Sequence, residues 1–472
     1  MRLAIPHGAG RWAIRGTRVP AALLDETLAL PSSEGLVAVD LVVEGDRIAA
    51  VLPAGMAGSP AVVAGSSAVM AGSPAGMAGS TAGMAGPGDM PFVAAGGALV
   101  LPCFVDAHTH LDKGHSGPRT PNPDGTFPGA LAAVAADRAA NWAAADVRTR
   151  MEFALRCAHA HGTAAIRTHI DSVGPQTRIS WPVFAELRDL WRDRIDLQAS
   201  PLYSIDLALD DANFAAVVDM VGAFGGVLGA VTVPGPALRP GLDRIFRTAS
   251  ERGWDLDFHA DETGDPTANS LALIAETALR FGFEGRILAG HCCSLAVMPE
   301  AERDRTIELV ARAGLAVVSL PMCNMYLQGR GLGETAGQMT PRWRGVTAFK
   351  ELHRAGVPVM VASDNIRDPF YAYGDLDMAE VWREGTRILH LDHPFGDWAA
   401  TVARTPAGVM RRPERGVLRA GGPADFVLFA ARSLSEWMAR PQGDRTVVRA
   451  GRPIADEVPS YAELDHLRGL RP

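Results

Sequence analysis

The 472-residue chain is predicted to form a (β/α)8 barrel of TIM type with a small β-sandwich domain built from both chain termini. From about residue 98, short apolar stretches alternate with longer amphipathic ones, and eight expected strands are separated mostly by single helices. This alternation is typical of an α/β fold with parallel strands. Shorter β-like stretches occur before and after this region. We therefore expect a composite β domain over 1–97 and 412–472, and a barrel over 98–411.

The N-terminal part contains β-like stretches at 36–43 and 47–52, which a Glu-Gly-Asp turn separates. A low-complexity Ala/Gly/Ser/Met insert with a seven-residue period follows at 53–90. Gly, Ser and Pro at most positions of the repeat exclude a coiled coil because they lower helix propensity and bury little apolar surface. The insert is therefore expected to be flexible.

The expected barrel strands are short apolar runs bounded by polar or turn residues. They are Leu99–His110, Ala164–Asp171, Ile195–Ser204, Gly226–Val233, Leu256–Glu262, Arg286–His291, Leu315–Met322 and Val357–Asp364. The amphipathic segments between them include Trp181–Arg194, Asp211–Ala223, Leu242–Arg252, Leu271–Phe281, Arg303–Ala313 and Thr347–Ala355. An open doubly wound sheet is the alternative, but it ordinarily has a Gly-rich phosphate turn after its first strand, and this chain has none there.

Composition argues against several classes of partner. The formal net charge is −8, so neither nucleic acid nor an anionic membrane surface is expected to bind. No apolar run is long enough to span a bilayer, and the N-terminus shows no signal-peptide pattern. The five cysteines lack Cys-x-x-Cys spacing, which favours reduced thiols in a cytoplasmic protein.

Histidines and a carboxylate occur at the ends of several expected strands. His108 and His110 are two residues apart on the first strand, so their side chains point the same way. His259 lies in the fifth strand and Asp364 ends the eighth. Because the C-terminal ends of barrel strands converge on one face, these residues are expected to hold one divalent metal ion, zinc or iron. The fourth strand has no lysine that could bridge a second ion.

Asp364 and two further side chains are candidates for acid–base catalysis around such an ion. A divalent metal lowers the pKa of water enough for attack on an electrophilic carbon. Asp364 is placed to accept a proton from that water, and His291 to hold it in line. Glu262, three residues after His259, is placed to carry protons to a ring nitrogen and to the leaving group. The alternative interpretation of Glu262 is a solvated loop carboxylate.

Together these motifs resemble the amidohydrolase superfamily, and within it the cytosine deaminase branch. The matching segments are Phe104–His110 with the following Leu-Asp, Gly162–Asp171, His259–Glu262, Leu327–Arg330, and Ser363–Asp364 with Asp368–Tyr371. The resemblance implies that one metal ion is bound by His108, His110, His259 and Asp364.

The resemblance also implies roles outside the ligand set. Glu262 would be the proton shuttle, His291 would hold the attacking hydroxide, and Gln328 would border the substrate. The substrate would be a small nitrogen heterocycle. Relatives are commonly oligomeric, so a homo-oligomer is expected.

Two departures leave the substrate open. Asn365 follows Asp364 where cytosine deaminases have a second Asp, and Ser200–Tyr203 contains no glutamine to read a pyrimidine. The run Ala362–Asp368 is similar instead to N-isopropylammelide isopropylamidohydrolase, which lacks a glutamate at the position of Glu262. We therefore expect hydrolytic removal of an amino or alkylamino group from a nitrogen heterocycle, with Asn365 at the substrate.

Two other functions are weighed against this one. The first is hydrolysis of a cyclic amide, although many such enzymes use two metal ions bridged by a lysine. The second is metal binding without catalysis, which would require neither Glu262 nor His291. Deamination of nucleic-acid bases by zinc enzymes uses a His-x-Glu and Pro-Cys-x-x-Cys signature, which this sequence lacks.

Overall fold

The computed structural model describes residues 10–58, 90–330, 338 and 340–468. Most of the low-complexity insert expected at 53–90 lies outside these described residues. Within the described ranges, no helix is both long and apolar enough to cross a bilayer.

The protein has a mixed α/β fold. The described strands are β1 (Arg11–Pro20), β2 (Leu36–Glu44), β3 (Arg47–Pro53), β4 (Phe92–Ala94), β5 (Leu99–Pro102), β6 (Phe104–Thr109), β7 (Thr163–Asp171), β8 (Asp196–Leu202), β9 (Val231–Thr232), β10 (Leu256–Ala260), β11 (Ile287–His291), β12 (Ala316–Ser319), β13 (Val359–Val361), β14 (Phe426–Phe429), β15 (Thr446–Arg449) and β16 (Arg452–Pro453). The described α-helices are α1 (Phe127–Asn141), α2 (Ala144–His161), α3 (Thr177–Trp191), α4 (Asp211–Phe224), α5 (Leu238–Arg252), α6 (Ser270–Phe281), α7 (Glu300–Arg312), α8 (Pro321–Leu327), α9 (Phe349–Arg354), α10 (Met378–Leu389), α11 (Arg404–Val409) and α12 (Leu434–Ala439).

One compact unit consists of Met1–Val105 and Leu391–Glu457. Its sheet has the order β16-β15-β14-β5-β1-β2-β3, with β4 paired to β1. β5 pairs antiparallel with β14, so the sheet joins segments from both parts of the sequence. The buried carboxylate of Asp40 accepts hydrogen bonds from the backbone N–H groups of Gly16, Gly55 and Ala57. These bonds offset the cost of burying the charge and hold the turn after β3 against β2.

The second unit, Asp106–His390 with Val458–Pro472, contains parallel strands with helices between them. Its strands form two sheets, of order β6-β7-β8 and β9-β10-β11-β12-β13. Single parallel bridges join Ser204 to Val231 and Thr109 to Asp364. β7 is buried along its whole length, as expected for a parallel strand covered on both faces.

Several expected strands are shorter in the structure, and for two of them a local reason is visible. The run expected as a strand to Met322 ends at Ser319, and α8 begins at Pro321. Proline suits the first turn of a helix because it has no N–H group to leave unsatisfied. The fourth expected strand shrinks to β9, and a Cβ at Gly229 before it would lie 1.6 Å from the carbonyl oxygen of Asp257. At Gly229 the backbone therefore packs directly against the backbone of Asp257 and is not part of a regular strand.

Candidate active site

β6 and the segment after β13 bring three candidate ligands together. His108 lies in β6 and His110 directly follows its last residue, so the two side chains point to the same side, and both are buried. The backbone N–H of Asp364 donates to the carbonyl of His108 at 2.9 Å. Asp106 accepts hydrogen bonds from the backbone N–H (3.2 Å) and the hydroxyl of Ser363. These bonds hold Asp364 beside the end of β6.

The candidate ligand atoms lie within a few ångströms of one another. Nε2 of His110 is 3.3 Å from Nε2 of His259 and 3.1 Å from Oδ1 of Asp364. Nε2 of His108 is 3.7 Å from the same carboxylate oxygen. His259 reaches this cluster from β10. The structure therefore brings together the four residues that the sequence predicted as ligands.

Burial keeps these imidazoles in their neutral form. Desolvation, and then the charges of neighbouring histidines, lower the pKa of His108 and His259 well below the usual value. Desolvation followed by the nearby ammonium of Lys113 does the same to the pKa of His110. Burial raises the pKa of Asp364 to about 7. A neutral imidazole carries the lone pair that a metal ligand needs.

The donor set fits one divalent metal ion. Two ligand nitrogens that are about 2.0–2.1 Å from one tetrahedral ion lie roughly 3.4 Å apart, close to the separation between His110 and His259. Nε2 of His108 and both carboxylate oxygens of Asp364 are buried without a hydrogen-bond partner. Buried polar atoms are normally paired, so these atoms indicate a ligand position. Three imidazoles and one carboxylate suit zinc or iron better than magnesium or calcium.

A further histidine, His169, lies at the same cluster and was not singled out from the sequence. Its ligand atom groups with those of His108, His110 and His259 within 4.8 Å. Its Nε2 is 3.2 Å from Oδ1 of Asp257, so Nδ1 is the ring nitrogen left without a hydrogen-bond partner. The sequence showed a histidine at the end of a strand, a placement that is more often structural than functional.

Glu262, His291 and Asn324 form a connected group beside the ligands. Oε1 of Glu262 is 3.3 Å from Nδ1 of His291. The side-chain amide of Asn324 is 3.0 Å from both of these atoms. Burial, and then the charge of Asp364, raise the pKa of Glu262 well above its usual value. This shift favours the protonated form of the carboxyl group. Asn324 was missed because it lies just after the expected strand Leu315–Met322, in a segment where no helix was expected.

The backbone after β10 explains why Glu262 lies in the cluster. Asp261 has a φ of 50°, and its carboxylate accepts hydrogen bonds from the backbone N–H groups of Ser270 (2.8 Å) and Leu271 (2.9 Å). Those groups belong to the first turn of α6, where an acceptor is favourable. The turn is thus held by the helix, and Glu262 follows in a defined position.

The two predicted substrate-binding residues lie near this group. Nε2 of Gln328 donates to the backbone carbonyl of Glu262 at 3.2 Å. The amide of Asn365 donates to Asp368 at 2.8 Å, and its oxygen lies 3.3 Å from the thiol of Cys323. The Asn365 side chain is thus already engaged in hydrogen bonds within the protein.

Lys113 is a third residue near the cluster that was not singled out from the sequence. Its ammonium is buried, 3.5 Å from Oδ1 of Asp171 and 5.1 Å from the centroid of the Phe370 ring. Burial lowers the pKa of this lysine, but the carboxylates of Asp171 and Asp368 outweigh it and raise the pKa. The site therefore contains a buried cation. The sequence signal that could have identified Lys113 was its position three residues after His110. Its burial, however, depends on groups that are distant in the sequence.

Gly290, in β11, leaves room for the imidazole of His108. A Cβ at this position would lie 2.8 Å from Cε1 and 3.0 Å from Nδ1 of that ring. Gly290→Ala is expected to displace His108 and to weaken metal affinity by roughly 10–100-fold, the scale of changes next to a metal ligand. Metal content after dialysis against a graded chelator series measures this loss.

Gly408→Ala is the matched control because nothing lies within 4 Å of a Cβ there. Unchanged metal retention in Gly290→Ala would contradict the placement of His108 in the ligand set.

Comparison with known proteins gives the relationships of the chain. A sequence model of the amidohydrolase family matches residues 204–455. The chain is 49% identical over 464 residues to a pterin deaminase of Rhizobium rhizogenes, covering 98% of each chain. It is 27% identical over 382 residues to the N-isopropylammelide isopropyl amidohydrolase of a Pseudomonas species, covering 78% of this chain and 88% of that one.

The structure of 5-methylcytosine deaminase from Klebsiella pneumoniae with 5-fluorocytosine superposes with a TM-score of 0.74 at 22% identity. The match covers 94% of this chain and 97% of that one, which shows a shared fold. The family model spans more than half of the chain, and the pterin deaminase matches nearly all of it. The resemblance found from the sequence motifs is thereby confirmed, and the chain belongs to the amidohydrolase family.

Proposed function

We propose that the protein is a metal-dependent aminohydrolase that removes the amino group of a pterin, replacing it with an oxo group and releasing ammonia. The observation that supports a pterin as the substrate is the 49% identity to a pterin deaminase over 98% of both chains. The two departures from cytosine deaminases, Asn365 and the absence of glutamine from 200–203, agree with a heterocycle other than cytosine.

His108, His110, His259 and Asp364 are the proposed ligands of a single zinc or iron ion. When bound, such an ion acts as a Lewis acid that lowers the pKa of water and polarises the carbon under attack. β9 presents Val231 and Thr232, and the hydroxyl of Thr232 donates to the backbone carbonyl of His259. This strand supplies no lysine to bridge a second ion, so we propose one ion rather than two.

Glu262 is the proposed proton shuttle. Burial and the charge of Asp364 raise its pKa and so favour the protonated form of the carboxyl group. Asn324 donates to Oε1, which favours the proton on Oε2. A neutral carboxyl beside the ligand cluster is placed to give its proton to a ring nitrogen, to take one from the attacking water, and to protonate the leaving amine.

His291 and Lys113 are the proposed orienting groups. The side-chain amide of Asn324 lies 3.0 Å from Nδ1 of His291. Nε2 of His291 is buried without a hydrogen-bond partner and is available to the water or to the substrate. The buried ammonium of Lys113 is suited to donate to an acceptor atom of the substrate, such as the 4-oxo group of a pterin. We propose that Gln328 borders the substrate and that Asn365 contacts it through its remaining N–H.

The same observations weigh against the two alternatives. Many cyclic-amide hydrolases use two metal ions bridged by a lysine, and β9 supplies no lysine. Metal binding without catalysis would not explain a buried carboxyl held by both Asn324 and His291.

Several broader expectations are also proposals. The bridges at Ser204–Val231 and Thr109–Asp364 support closure of the two parallel sheets into an eight-stranded barrel. The β sheet that combines both parts of the first unit supports a β-sandwich domain from the two chain ends. A homo-oligomer and a cytoplasmic location are proposed from the sequence.

Ammonia release over a panel of heterocycles tests the proposed reaction. The panel comprises pterin, 6-substituted pterins, cytosine, 5-methylcytosine, N-isopropylammelide and dihydropyrimidine-type cyclic amides, with zinc- and iron-loaded protein. We expect ammonia release to be fastest with a pterin, by at least about 10²-fold in kcat/KM over cytosine, because pocket polar groups left unpaired by a wrong ring are costly.

Ring opening without ammonia would favour the cyclic-amide alternative. Release from cytosine or N-isopropylammelide at rates equal to those from pterins would contradict the proposed substrate but retain the proposed reaction.

A further inference from the structure

The loop of residues 364–376 carries candidate active-site residues in a strained backbone. Asp364, Arg367 and Leu376 have φ values of 64°, 44° and 56°. Such left-handed conformations are unfavourable for residues other than glycine and persist only where surrounding contacts impose them. The loop begins at a proposed metal ligand and continues through Asn365, so its conformation defines one side of the site.

Part of the restraint comes from within the loop. The carboxylate of Asp368 accepts hydrogen bonds from the Asn365 amide (2.8 Å) and from the backbone N–H groups of Phe370 (2.8 Å) and Tyr371 (3.2 Å). The backbone of residues 115–117 donates to the carbonyls of Ile366 and Arg367. These bonds order the centre of the loop, but they do not reach Asp375 or Leu376 at its end.

The end of the loop is restrained from two places. Nε2 of His161, in α2, lies 3.0 Å from Oδ2 of Asp375, and the C-terminal segment supplies the other contacts. The hydroxyl of Tyr461 donates to Oδ1 of Asp375 at 2.6 Å. The guanidinium of Arg367 lies 3.7 Å from the centroid of the Tyr461 ring, within cation–π distance. A single side chain thus contacts the loop beside two of its three strained residues.

Tyr461 is itself anchored to α2. Its ring stacks on Phe153, with centroids 5.8 Å apart and planes at 30°. Leu464 is buried against Phe153 and Cys157, and Glu463 pairs with Arg156 at 2.6 Å. Packing against α2 therefore fixes the C-terminal segment, and Tyr461 contacts the loop from this fixed segment.

We propose that Tyr461 is a positioning residue that holds the 364–376 loop in its substrate-binding conformation, a role that rests on the proposed function of that loop. Its contacts at Arg367 and Asp375 add to the bonds from residues 115–117 and His161, and Tyr461 alone contacts the loop near both Arg367 and Leu376 among the contacts described above. Loss of these contacts is expected to let the loop leave this conformation while the histidine ligands stay in place. The effect then falls on substrate binding more than on chemistry.

The test compares Tyr461→Ala and Tyr461→Phe in the full-length, metal-loaded protein. Tyr461→Ala is expected to raise KM about tenfold, the scale of one lost charge-assisted hydrogen bond, with kcat within about twofold of wild type. Backbone hydrogen exchange of residues 365–376 should accelerate, and metal content should stay near that of the wild type. Tyr461→Phe keeps the ring under Arg367 and should show a smaller change in the same direction.

Glu463→Gln is the matched control because it weakens an exposed contact of the same segment to α2 without touching the loop. Unchanged loop exchange in both Tyr461 variants overturns the proposal, as does faster exchange spread evenly over α2 and α6. If Tyr461→Ala does not fold, Tyr461→Phe alone decides in the same way. Faster loop exchange with unchanged KM supports the positioning role and instead contradicts the substrate-binding role proposed for the loop.

Discussion

His108→Ala is expected to yield folded protein that retains little metal and has lost nearly all deaminase activity. His108 supplies one of four converging ligand atoms, and its Nε2 has no other partner. Removal of a direct ligand should cost more than the roughly 10–100-fold in affinity or activity that outer-shell changes cost. Metal analysis of the purified variant, together with ammonia release, measures both losses.

His353→Ala is the control, because His353 is an exposed histidine on α9. Binding of a metal to the native state also raises thermal stability. Added zinc should therefore raise the melting temperature of metal-stripped wild-type protein and of His353→Ala, but not that of His108→Ala. Full metal occupancy in His108→Ala would contradict the assigned ligand set.

Glu262→Gln is expected to keep its metal and lose turnover by about 10²–10⁴-fold, the usual contribution of a positioned acid–base group. Glutamine fills nearly the same volume and its amide oxygen can still accept the hydrogen bond from Asn324, so the site should remain assembled. What it lacks is the transferable proton of a carboxyl group, whose pKa burial raises in Glu262. Steady-state kinetics and metal analysis on one preparation separate the two effects.

Glu284→Gln provides the comparison, since Glu284 is exposed just after α6. A Glu262→Gln variant with wild-type kcat would show that another group moves the protons. A variant that also lost its metal would indicate a structural role.

Local rules were enough to find the candidate ligands and two of the acid–base residues that meet at the site. His108 and His110 share a face because side chains alternate along a strand. His259, His291 and Asp364 lie at or near the ends of strands, and parallel strands bring such ends to one edge. A helix placed immediately after β12 was not foreseen, because the apolar run 315–322 reads as one strand until Pro321 is given its role as a helix start.

The residues that were missed depend on partners far along the chain. His169 is oriented by Asp257, 88 residues away, and the pair is completed by Arg167, which donates to Asp257 at 2.9 Å. The importance of Lys113 follows from Asp171 and Phe370 around it. A single lysine or histidine in the sequence carries no sign of such partners. The contact of Tyr461 with Asp375 spans 86 positions and has no local pattern at all.

The most direct test of the proposed function is product analysis after reaction of a pterin in ¹⁸O-labelled water. Hydrolytic deamination predicts one ¹⁸O atom in the deaminated product and one equivalent of ammonia. Formation of both should depend on zinc or iron and should be abolished by chelation. Mass spectrometry measures the incorporation of ¹⁸O, and an ammonia assay measures the ammonia released. Product without label, a ring-opened product, or labelled product formed equally well by metal-stripped protein would contradict the account.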